Sequence, residues 1–144
     1  MTEFVVGLAH GFYDASGNHI FNALRETFLD LPASTRLVEV DNKGGPLMPE
    51  HLADIDAFVM LGGRVNEASL AGSDRLAVIA RWGVGYDTVD IDACARAGVV
   101  VANAPEGVRK AMAHTAIGFV LSLAHRIPDQ DRQMRNGNDW STRT

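Results

Sequence analysis

Five short apolar runs punctuate the chain, at residues 4–9 (FVVGLA), 36–40 (RLVEV), 57–61 (AFVML), 76–80 (LAVIA) and 99–102 (VVVA). Most are continuous rather than alternating, which suits strands covered on both faces, as in a parallel sheet. Helical patterns lie between them. Residues 19–31 place Ile20, Leu24 and Phe28 on one face, with Ser16 or Asn18 available as a cap. A short helix is expected over 49–54 with Pro49 at its first position, and a single turn over 66–70. A further helix is expected over 90–97, opened by Asp90 as N-cap with Asp92 in its first turn and stopped at Gly98. Strand and helix thus alternate as far as residue 102, the pattern of a doubly wound α/β layer.

The last third reads differently. A helical pattern runs from 108 to 127 and stops before Pro128; its centre is apolar on nearly all sides, through Ala116, Ile117, Phe119, Val120, Leu121 and Leu123. A surface helix shows one apolar stripe. This one needs cover on more than one side, and a five-stranded sheet covers only one. A polar segment, residues 129–144, follows it.

The totals narrow the classes. A chain of 144 residues with 47% hydrophobic positions has enough for one domain with a core and argues against disorder. Net charge is −5 and Lys and Arg form no run, so neither nucleic acid nor a membrane surface is expected as a partner. The single cysteine, Cys94, allows no internal disulfide and fits a reducing, cytoplasmic setting. The N-terminus lacks a basic start and a small-residue cleavage site and reads as a first strand rather than a signal peptide. The longest apolar run, 116–124, is too short to span a bilayer.

The chemistry concentrates where the fourth run ends, in Arg81-Trp82-Gly83-Val84-Gly85-Tyr86-Asp87. In open α/β sheets ligands bind beyond the carboxyl ends of the strands. Glycines there let backbone N–H groups approach a ligand, and successive N–H groups in a turn form a concavity for an anion. A small carboxylate or phosphate fits such a loop, with Arg81 as a charge partner. The same spacing also describes a plain strand-to-helix turn, and it is not the dinucleotide fingerprint, because no third glycine follows at the required offset. Gly62-Gly63 after the third run reads the same way. Of the histidines, His10 follows the first strand on the same edge as the loop, where it faces either a ligand or only solvent. None pairs with another at metal-ligand spacing on one helix face, so no metal is expected. Asp87 is expected to brace the loop through backbone N–H groups, Cys94 to be a small buried hydrophobe, and Trp82 either to wall a pocket or to pack half-buried.

As a string, ARWGVGYDTVDIDACARAGVVVANAPEGV followed by a long helix resembles the D-2-hydroxyacid dehydrogenase family, which includes phosphoglycerate dehydrogenases and glyoxylate or hydroxypyruvate reductases. Arg81, Gly83, Gly85, Asp87, Val89 and Asp90 fit its R-x-G-x-G-[YVF]-D-x-[VI]-D pattern, and Asn103, Pro105, His114 and Thr115 its N-x-P and A-E-H-T positions. Arg135, Gly137 and Trp140 echo the segment that usually follows. The match is strong from about Leu76 to Arg135 and loose before it. Two departures stand out. Ala113 replaces a common Glu, and Arg64, in Leu61-Gly62-Gly63-Arg64, is at best a shifted substitute for an Arg at the end of the third strand.

The resemblance implies a flavodoxin-like substrate domain with a five-stranded parallel sheet over 1–104, an interdomain and dimerisation helix over 105–128, and a polar segment over 129–144 leading toward a Rossmann domain. It implies that Trp82, Gly83, Val84 and Gly85 form a loop whose backbone amides bind the substrate carboxylate, with Arg81 counted among the substrate-binding residues. It also implies that Val84 and Thr115 lie near the nicotinamide of NAD or NADP. The family's catalytic Arg, Glu and His have no counterpart here, so no catalytic residue is assigned. The chain is expected to be the N-terminal portion of an NAD(P)-dependent enzyme interconverting a 2-keto acid and a D-2-hydroxy acid, dimeric and inactive by itself. The alternative is a free-standing flavodoxin-like binding or regulatory module that dimerises through helix 108–127.

Overall fold

The computed structural model describes residues 3–12 and 31–137, in two compact units, Met1–Pro105 and Glu106–Thr144. The helix expected over 19–31 falls almost wholly outside the described residues, as does Trp140.

The first unit is built on five parallel strands: β1 (Phe4–Ala9), β2 (Thr35–Val40), β3 (Ala57–Met60), β4 (Val78–Arg81) and β5 (Val100–Asn103). Their spatial order is β2-β1-β3-β4-β5, the flavodoxin-like order. The chain moves outward from β1 to β2, then returns to the other side of β1 for β3, so the crevice that such sheets offer to ligands opens where these strands end. β1 buries Val5, Val6, Leu8 and Ala9 on both faces, β3 buries Phe58 and Met60 on one, and β5 at the edge stays largely exposed. Gly7 sits in the middle of β1 because nothing larger fits: a Cβ there would lie 2.8 Å from Ile55 Cδ1 and 2.9 Å from Val40 Cγ2.

Short helices close the crossovers. Helix α1 (Pro49–Leu52) begins with proline, which needs no N–H partner in the first turn. The turn expected over 66–70 is a 3-10 turn at Ala68–Leu70, fixed by Asn66 Oδ1, which accepts from the Ser69 amide at 3.0 Å. Helix α2 (Ile91–Arg96) has the expected N-cap: Asp90 Oδ1 accepts from the Ala93 amide at 2.9 Å. At the amino end of the sheet, Asp56 ties three segments together. Its carboxylate accepts from the Val5 amide at 2.7 Å and from Arg75 Nη2 at 2.6 Å. The Val5 amide first, and then Arg75, hold its carboxyl below the ordinary range. Cys94 is buried, and burial pushes its thiol up, so it behaves as the small hydrophobe expected.

The second unit consists of α3 (Arg109–Ala124) and α4 (Ile127–Arg135). Helix α3 lies within the expected 108–127 but ends at Ala124, three residues short of Ile127, and it buries no residue: Phe119 is 67% and Leu123 79% exposed. Helix α4 corrects the expectation of a polar segment that begins at 129. Arg126 adopts a left-handed φ of 50°, and a new helix starts at once with Pro128 in its first turn. Asp129 near its start and Arg132 and Arg135 near its end complement the helix dipole, and Arg135 pairs with Asp131 at 2.9 Å.

Candidate active-site loop

Strand β4 ends at Arg81, and residues 82–87 form the loop beyond the carboxyl end of the sheet. The Trp82 amide still donates to Met60 O at 2.8 Å, which anchors the loop to β3. The Trp82 ring meets Phe12 edge-on, with centroids 5.5 Å apart. Phe12 is fully buried just after β1, so the aromatic pair joins the ends of β1 and β4. Trp82 remains 42% exposed. It therefore packs half-buried and also presents a face to the crevice.

Gly83 turns the backbone with a φ of +141°, where an L side chain is strained. The Arg81 guanidinium folds over it, and a Cβ on Gly83 would lie 3.2 Å from Arg81 Nη1. Arg81 Nη1 donates to the Trp82 carbonyl, while its Nε is buried without a partner among the described residues. Two other loop carbonyls are taken from the β5 side: Gly83 O accepts from the Ala104 amide at 2.9 Å, and Val84 O accepts from Asn103 Nδ2 at 2.8 Å. Four of the six loop carbonyls, those of Trp82, Gly83, Val84 and Tyr86, are thus bonded, while the amides of Val84, Gly85, Tyr86 and Asp87 have no partner among the described residues, a run of donors that suits an anion cradle. Behind it lies a small hollow of about 160 Å³ walled by Val59, Ala80, Ala102 and the loop base.

The remaining sequence candidates fall in different places. Asp87 is exposed, and its carboxylate accepts no hydrogen bond among the described residues, so the expected brace is supplied instead by Asn103 and Ala104. Arg64 lines a separate hollow of about 390 Å³ with Gly44, Gly45, Pro46, Gly63 and Thr88, whose walls do not include residues 82–85. Thr115 lies on α3, in the second unit, and its hydroxyl donates to Ala111 O at 2.8 Å. Among the described residues no cluster of His, Cys, Asp or Glu could hold a metal ion. No helix of the described residues is long and apolar enough to cross a membrane.

His10 stands just past β1, with Nδ1 paired to Glu39 Oε1 at the end of β2. That hydrogen bond raises the imidazole pKa above its ordinary value, against a small desolvation effect, and Asp41 adds to it. The pair is therefore strongest below the ordinary histidine range and fades as pH rises through the raised value. NMR titration should place the His10 midpoint above 6.5, and Glu39→Gln should return it toward that value. An unchanged midpoint in the variant would show that Glu39 is not the cause.

The strand order and the loop after β4 define a doubly wound α/β domain with unpartnered backbone donors, among the described residues, beyond its strand ends. Over residues 19–144 the sequence matches the D-isomer specific 2-hydroxyacid dehydrogenase, catalytic domain, and the chain belongs to that family of oxidoreductases. It is 33% identical to a glyoxylate reductase of Pyrococcus furiosus over 92 residues, which cover 63% of this chain and 27% of that protein. It is 34% identical to a D-3-phosphoglycerate dehydrogenase of Synechocystis over 105 residues, 69% of this chain and 19% of that protein. Among solved structures, a glyoxylate reductase from Paecilomyes thermophila superposes with a TM-score of 0.69 at 22% identity, covering 100% of this chain and 44% of that one. An NAD-dependent formate dehydrogenase from Staphylococcus aureus, in complex with NAD, gives 0.66 at 19% identity, covering 94% and 42%. The chain spans less than a third of the length of the curated relatives it matches.

Proposed function

We propose that this chain is the substrate-binding portion of an enzyme that interconverts a 2-keto acid and a D-2-hydroxy acid with NAD or NADP. The observation that carries this reading is the pair of amides at Val84 and Gly85, unpartnered among the described residues and each following a carbonyl that is already bonded. They suit the carboxylate common to every substrate of that class. A backbone site holds the acid in one orientation whatever its side chain, which leaves Trp82 and the exposed Val84 side chain to meet the rest of the molecule.

Nicotinamide supplies the hydride in this chemistry, and the residues present fit only its margin. Val84 offers an exposed apolar surface for a flat ring, but the chain carries no G-x-G-x-x-G for a pyrophosphate. The side chains at hand in the loop are Tyr86 and Asp87, both exposed, with Arg81 Nη1 at its base bonded to the Trp82 carbonyl. The hydride transfer is assigned to a longer protein, and this chain contributes binding. The exposed apolar α3 is read as the contact surface of a homodimer, and the protein as cytoplasmic, with neither nucleic acid nor membrane as partner.

The test is to give the 144-residue chain glyoxylate and a reduced nicotinamide cofactor together. Glyoxylate should bind saturably while NADH and NADPH are not consumed. Turnover by the chain alone would overturn the division of labour, and absence of glyoxylate binding would overturn the loop reading.

A further inference from the structure

The register of the sheet places Asn103, the last residue of β5, directly beside Arg81, the last residue of β4. Both side chains then act on the loop, and each takes a carbonyl: Arg81 that of Trp82, Asn103 that of Val84. In a trans peptide the C=O of one residue and the N–H of the next point in opposite directions. Fixing a carbonyl therefore aims the following amide. Ala104 N holds Gly83 O, which turns the Val84 N–H away from β5, and Asn103 Nδ2 holds Val84 O, which turns the Gly85 N–H the same way. Two consecutive donors are thereby aimed at one side of the loop.

Resting on the carboxylate reading of this loop, we propose that Asn103 is a positioning residue, holding the Val84–Gly85 peptide so that its N–H and that of Val84 face the substrate carboxylate together. Arg81 plays the companion part at the loop's base. Its Nη1 donates to the Trp82 carbonyl, and the guanidinium lies over Gly83. A free peptide loop rich in glycine samples many orientations, and ordering it costs conformational entropy at the moment of binding. A side-chain donor 19 residues away removes that cost in advance.

The test compares the chain with Asn103→Leu, which keeps approximate size and removes the donor. Asn103 is exposed at an edge strand, so the variant leaves the core intact. Residual dipolar couplings should show the Gly85 N–H vector reoriented, while amides of β1 and β3 keep their values. Glyoxylate affinity should fall about tenfold or more, the scale of one hydrogen bond to a charged group. Asn103→Gln, which retains an amide donor, should recover part of both. An unchanged Gly85 vector in Asn103→Leu, or an unchanged glyoxylate affinity where the parent binds, would overturn the proposal. If the parent does not bind glyoxylate but the vector turns in the variant, the positioning role stands and the assigned ligand fails.

Discussion

Gly83→Val should reduce glyoxylate binding by about 100-fold or more, the scale of losing two hydrogen bonds to a charged group. Two effects act together. The φ of +141° is open to glycine and strained for a β-branched residue, which raises the energy of the native loop by about 1–3 kcal/mol. A Cβ there also approaches Arg81 Nη1 to 3.2 Å, so the guanidinium that holds the Trp82 carbonyl must move. The loop then either abandons its shape or loses its base, and the free amides are no longer aimed together. Isothermal titration with glyoxylate measures the loss directly, and circular dichroism should show the sheet unchanged. A variant that binds like the parent would remove residues 82–85 from the site.

Phe58→Ala is expected to give the largest loss of stability, about 3–5 kcal/mol. Phe58 is 1% exposed on β3, the strand between β1 and β4, and its register partners are Gly7 and Ile79. Its ring lies under the position where a Gly7 Cβ would be, with Cδ2 3.3 Å from it, so the missing side chain of Gly7 and the large one of Phe58 fill one space. Removing the ring leaves a cavity bounded by a glycine that cannot refill it. For a unit of this size the melting temperature should fall by roughly 15 °C or more. Because typical domains hold only about 5–15 kcal/mol in total, the variant sits near the unfolding threshold. A fall of only a few degrees would show that the strand relaxes around the gap.

The sheet was legible because its strands are written as short apolar runs, unbroken in β1, which is buried on both faces, and each of the five runs overlaps an observed strand. The fourth boundary shifted. The run begins at Leu76, yet pairing begins at Val78 and extends through Arg81. Leu76 is buried by the turn before the strand, and Arg81 joins the ladder opposite Met60 and Asn103 despite its charge. Burial and pairing are separate requirements, and hydrophobicity reports only the first. Helix α4 went unread because it is short and mostly polar and buries no side chain; its signals were Pro128, Asp129 and the terminal arginines.

At the site, the glycines announced the loop. What holds the loop was hidden, because Asn103 reaches Val84 only through the β4–β5 register, and Phe12 meets Trp82 only through the strand order. Asp87, adjacent in sequence, looked like the brace and is not. A neighbour along the chain is visible to sequence reasoning, and a neighbour across a parallel sheet is not.

The most direct measurement is a glyoxylate titration of the ¹⁵N-labelled chain, followed amide by amide. The account predicts that the largest shifts fall on Val84 and Gly85 and saturate together, with smaller ones on Trp82 and Asn103. Saturable shifts centred instead on Gly63 and Arg64, or no shifts at all, would contradict it.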